Sequence, residues 1–134
     1  ALEDEQHIET AFACYASDDR DSVLGRLQGM QKVKPELEVD LDVIFLRSGQ
    51  DYWEEIQSRI PAKDVFYLFW SKPASESKEV EREWGWALDS KGEGCIDPVP
   101  LVDPRDVPPP KELNSKHFND SYLAYIGTAS GEES

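Results

Sequence analysis

Glu79 and Glu83 stand one helical turn apart in Ser77-Lys78-Glu79-Val80-Glu81-Arg82-Glu83-Trp84, which follows closely on the apolar run Val65-Phe66-Tyr67-Leu68-Phe69-Trp70-Ser71. Like charges at that spacing repel by about 0.2–0.5 kcal/mol, so helix stability gives no reason for the pair. Either they belong to a solvated acidic face, natural in a chain with 28 acidic residues, or one is set at the edge of a core to do chemistry. Glu83 is the first candidate. Two carboxylates one turn apart also raise the proton affinity of one of them. On the same rim, Tyr15-Ala16-Ser17-Asp18-Asp19-Arg20 brings a hydroxyl, a helix start and one arginine. Free amides of a helix start beside an arginine suit an anion such as a diphosphate, while plain capping accounts for the same residues. Arg47-Ser48-Gly49 is a polar rim loop or a surface turn, and Asp42, near the end of a strand, faces the rim or solvent. His117 has no serine or cysteine partner in a recognisable motif and reads as structural, and Trp84 and Trp86 read as packing residues. There is no phosphate-binding lysine loop, no G-x-G-x-x-G, and no zinc-ligand spacing among two cysteines and two histidines.

These residues need elements to hold them. Alternation and breakers predict a strand over Ile8–Ala16, a helix over Arg20–Lys32 burying Val23, Leu24, Leu27 and Met30 and ended by Pro35, and a strand over Leu37–Phe45. A loop at 46–51 leads to a helix over Tyr52–Ile60 with Trp53, Ile56 and Ile60 inward, closed by Pro61. Val65–Ser71, nearly all apolar, reads as a strand buried on both faces. The helix over Ser77–Ser90 turns Val80, Trp84, Ala87 and Leu88 to one face, with Glu79, Glu83 and Trp86 as an adjoining strip. Ile96–Val102, broken by Pro98 and Pro100, suits an edge strand. Pro108-Pro109-Pro110 is an extended connector, and 113–126 is weakly patterned. Strands separated by helices imply crossover connections and a parallel sheet. The expected class is α/β, a flavodoxin-like three-layer sandwich, which binds ligands beyond the carboxyl ends of its strands.

A chain of 134 residues suits one domain, here 8–126, with a flexible N-terminus at 1–7 and an acidic tail or linker stub at 127–134. The net charge of -14 disfavours direct contact with nucleic acid or an anionic membrane. No run approaches the roughly 18–20 apolar residues of a membrane helix. Cys14 and Cys95 are expected as free thiols in a reducing compartment, which suggests the cytoplasm.

The order and spacing of several short motifs resemble a TIR (Toll/interleukin-1 receptor) domain of bacterial type over about residues 8–126. They are Tyr15-Ala16-Ser17-Asp18, Leu46-Arg47-Ser48-Gly49-Gln50-Asp51-Tyr52-Trp53, Phe69-Trp70-Ser71, Ser77-x-x-Val80-x-x-Glu83, Pro98-Val99-Pro100-Leu101 and His117-Phe118-Asn119-Asp120. The resemblance implies that Glu83 is the catalytic glutamate of an enzyme that cleaves NAD, as substrate and without cofactor or metal, at the nicotinamide–ribose bond. The products would be nicotinamide with ADP-ribose or a cyclic isomer, in a bacterial defence role switched on by self-association. Loop 46–52 would join TIR protomers into a homo-oligomer. Tyr15, Ser17, Arg20 and Arg47 would contact the diphosphate and adenosine half, Trp70 and Ser71 would line the floor, and Ala16, Asp42, Ser48 and Glu79 would complete the substrate set. Many members carry tryptophan four residues before the glutamate; this chain has Glu79 there. The other reading of the resemblance is a non-enzymatic TIR–TIR interaction module.

Overall fold

The computed structural model describes residues 9–41, 52–113, 118 and 123. Apolar segments supply β1 (Thr10–Cys14), β3 (Val65–Trp70) and β4 (Ile96–Pro100), and the alternating Glu-Val-Asp-Leu supplies β2 (Glu38–Leu41); the four strands are all parallel, in the order β2-β1-β3-β4. Parallel neighbours need a crossover between them, and helices α1 (Arg20–Val33), α2 (Tyr52–Ala62), α3 (Lys72–Glu76) and α4 (Lys78–Lys91) provide it. Phe12, Cys14, Phe66 and Leu68 point to the layer of α2 and α4, packing with Ile56, Ile60, Val80, Trp84 and Ala87. Ala13, Tyr15, Phe69 and Val99 point to the opposite layer, against Val23 and Leu27 of α1. The alternation of side chains along β1 and β3 thus makes three layers from one sheet. This is the α/β, flavodoxin-like arrangement expected from the sequence.

Some boundaries move. The described part of the first strand stops at Cys14, and that of the second begins at Glu38 and reaches Leu41, with 42–45 outside the described residues. The strand expected to run to Val102 ends at Pro100. Lys72–Glu76, to which the sequence pattern assigns no element, is a helical turn: Ser71 caps it by accepting from the Ala74 amide at 3.1 Å, and Pro73 sits in its first turn. The helix expected from Ser77 begins at Lys78, with the Ser77 hydroxyl accepting from the Val80 amide at 3.2 Å. It ends at Gly92, whose φ of +91° is open to glycine and strained for other residues.

Pro61 does not close α2; it lies within the last turn. A proline there has no amide for the carbonyl of Gln57, four residues back. That carbonyl accepts instead from the Trp86 indole of α4, at 3.0 Å. Trp86→Phe should therefore cost about 1 kcal/mol, by the usual worth of a protein hydrogen bond. In a Pro61→Ala background, where the new amide can take the carbonyl, denaturant titration should show a smaller cost.

Asp64 ties the front of the sheet together. Its carboxylate accepts from the Glu9 and Thr10 amides at 2.9 and 3.1 Å, while its own amide donates to the Thr10 hydroxyl at 3.0 Å. The bond from Glu9, then that from Thr10, holds its pKa below the usual carboxylate range. A depressed folded value means stability that is present above the unfolded pKa and lost as pH falls through the folded one. Asp64→Asn should melt earlier than the parent at neutral pH and change less between about pH 5 and pH 2, by thermal denaturation followed by circular dichroism.

Candidate functional site

β1 and β3 are neighbours, yet the chain leaves β1 for the α1 layer and leaves β3 for the α4 layer. Such a divergence opens a crevice beyond the carboxyl ends of the two strands, where α/β sheets bind ligands. A cleft of about 350 Å³ lies there. One wall is Ala16, Ser17 and Asp18; the other is Lys72, Pro73 and Glu76 of α3 with Ser77 and Glu79. Its charges are three carboxylates and one ammonium, and Lys72 pairs with Glu76 at 2.9 Å.

Glu83 lies one turn beyond Glu79 on α4 and is not part of the cleft wall. With 1% of its surface exposed, it shares with Ser71 the distinction of being a buried polar residue in the described part of the chain. The buried positions of α4 are Val80, Glu83, Trp84 and Ala87, an i, i+3, i+4, i+7 stripe. Glu83 thus occupies a core position of the helix rather than the adjoining strip, while Glu79 is exposed and Leu88 half-buried. A carboxylate is among the residues least often found fully buried.

The other expected residues separate. Ala16, Ser17 and Glu79 line the cleft. Ser71, 3% exposed, lies beneath it: its hydroxyl donates to Asp19 Oδ2 and accepts from the Ala74 amide. Tyr15 is buried in the α1 layer, and its hydroxyl takes part in a 3.3 Å bond with Arg20. Trp70 is buried on the other face, its indole donating to the Val107 carbonyl at 3.1 Å and its ring edge-on to Phe118 at 5.9 Å. Asp42, Arg47 and Ser48, with most of loop 46–52, lie outside the described residues, as does His117. Asp18, Lys72, Pro73, Glu76 and Ser77 join the site without having been expected there, although Asp18 and Lys72 each adjoin an expected residue and Ser77 caps α4 with Glu76 before it.

Neither cysteine suits nucleophilic chemistry. Both are free thiols; Cys14 is wholly buried, and burial pushes the Cys95 thiol up, so it stays protonated at neutral pH. Among the described residues no group of three or more acidic, histidine or cysteine side chains could hold a metal ion, and no helix is long and apolar enough to cross a membrane.

A family model described as TIR domain matches residues 12–128. No curated protein matches the chain.

Proposed function

Because the chain belongs to the TIR domain family, we propose that it is an NAD glycohydrolase in which Glu83 is the catalytic carboxylate, switched on by self-association in bacterial defence. The observation that carries this reading is a glutamate at a core position of α4, one helical turn beyond the cleft-lining Glu79. Burying a carboxylate opposes folding, and perturbed, desolvated carboxylates collect at functional sites.

One carboxylate suffices for the chemistry. When the C1′–N1 bond breaks, its electron pair passes to the ring nitrogen, so the pyridinium leaves as neutral nicotinamide and needs no general acid, unlike an ordinary glycoside. The positive charge left on the ribose spreads over C1′ and the ring oxygen. Glu83 stabilises that charge, more strongly in a water-poor site than it would in bulk solvent. Water then adds at C1′ and loses a proton, giving ADP-ribose; attack by an adenine nitrogen gives a cyclic isomer instead. In this reading Ala16, Ser17 and Glu79 meet the substrate, and Asp42, Arg47 and Ser48 are proposed as further substrate contacts.

At 1% exposure Glu83 meets no ribose in this state, which supports a switch. Self-association through loop 46–52 would supply the rearrangement that uncovers it. Nicotinamide released per chain should then rise with protein concentration or on clustering. Turnover per chain that is flat from dilute to concentrated solution contradicts the switch. The acidic walls favour a second reading, since a diphosphate is repelled by Asp18, Glu76 and Glu79: a TIR–TIR interaction module. That reading requires partner binding with no loss of NAD in the assembled state.

A further inference from the structure

The crevice has a structural problem at its base. β1 and β3 are held together by the sheet as far as Cys14 and Leu68; β3 runs on to Trp70 beside β4, and past the strand ends the two chains turn to opposite layers, where the ladder no longer fixes their spacing. The hydrogen bond from Ser71 Oγ to Asp19 Oδ2 spans this gap. Ser71 immediately precedes Lys72 and Pro73 of one wall, and Asp19 immediately follows Ser17 and Asp18 of the other. Ser71 is almost wholly buried, and its hydroxyl is used twice: it donates to Asp19 and accepts from the Ala74 amide, so it also caps α3. One hydroxyl therefore fixes both the position of α3 and its distance from the turn after β1.

We propose that the Ser71–Asp19 hydrogen bond sets the width of the crevice and makes Asp19 a positioning residue for the NAD that binds there. This rests on the glycohydrolase reading for the identity of the ligand, though not for the existence of the clamp. A hydrogen bond to an ionised carboxylate is stronger than one between neutral groups, which suits a bond that must hold two walls without help from the sheet. A preformed cleft binds more tightly because ordering its walls is not charged against the ligand.

The test separates the bond from the charge. Asp19→Ala removes both, whereas Asp19→Asn removes the charge and keeps an oxygen that can accept from Ser71. Each is made in Glu83→Gln chain, which is meant to hold NAD without consuming it, and the Kd for NAD is measured by titration calorimetry below the melting temperature of every variant. The Asn variant should bind about threefold more weakly than its parent, because a neutral bond replaces a charge-assisted one, and the Ala variant about tenfold more weakly, because the bond is lost altogether. Equal affinities of the Ala and Asn variants overturn the proposal, even if the Ala variant melts earlier, because a purely structural bond would move only the melting temperature. A parent that does not bind NAD overturns it as well. The glycohydrolase reading is judged separately, by nicotinamide release from the chain with Glu83 intact: binding without release refutes that reading and leaves the clamp to the comparison of Ala with Asn.

Discussion

Phe66→Ala lowers the free energy of unfolding by about 3–5 kcal/mol, the usual cost of emptying a buried aromatic site. Phe66 is the second residue of β3, 1% exposed, with its ring stacked on that of its register partner Phe12 at 5.7 Å and 6° between planes. It belongs to the same core cluster as Ile56 and Ile60 of α2 and Val80 and Trp84 of α4, so its loss leaves a void that α2, α4 and β1 must collapse to fill. Domains of this size hold about 5–15 kcal/mol in all, which makes this a large share of the total. Urea denaturation of the two proteins gives the difference directly. Phe66→Leu, which keeps most of the volume, should cost no more than about 1.5 kcal/mol. Equal costs for the two variants would mean that the stacked pair does not lie at the centre of the core.

Glu83→Gln has its effect elsewhere. The amide has the shape of the carboxylate and none of its charge, so the fold should persist while the stabilisation of a ribosyl cation is lost. Removing one preorganised electrostatic partner of a transition state typically reduces kcat about 10²–10³-fold, and that is the expected loss here. Glu83→Asp keeps the charge and retracts it by one methylene, so it should recover part of the rate. The melting temperature of Glu83→Gln, by circular dichroism, should stay close to that of the parent. A fall in melting temperature as large as that of Phe66→Ala would make Glu83 a residue of the fold before it is one of the reaction.

The legibility of this chain follows the strength of its patterns. β3 could be read because six consecutive large apolar residues leave little choice but a strand covered on both faces, and α4 because its apolar period is well formed. α3 escaped because five residues are too few for any period, although Ser71 as cap and Pro73 in the first turn carried its signature. Pro61 misled for a different reason: the rule that proline ends a helix rests on an orphaned carbonyl, and Trp86 supplies the missing donor from another helix. Periodicity set Glu83 beside the core rather than in it because a charged residue was not admitted to the apolar stripe. Yet a glutamate at an i+3 position between Val80 and Trp84 is the kind of local conflict that marks a functional position. Tyr15 and Trp70 were legible as neighbours of the rim in sequence but not as side chains on opposite faces of the sheet, since that depends on the alternation along two strands whose ends lie in the loops. The bond between Asp19 and Ser71 joins residues 52 apart in the chain, and no local pattern could have announced it.

The central claim is that Glu83 acts on the nicotinamide–ribose bond of NAD. The most direct measurement is a time course of nicotinamide and ADP-ribose, cyclic isomer included, separated by chromatography from NAD incubated with concentrated chain and, in parallel, with Glu83→Gln at the same concentration. The account predicts equal molar amounts of nicotinamide and ribosyl product from the parent and a rate about 10²–10³-fold lower from the variant. Nicotinamide release at the same rate from both proteins, or none from the parent even when clustered, would contradict it.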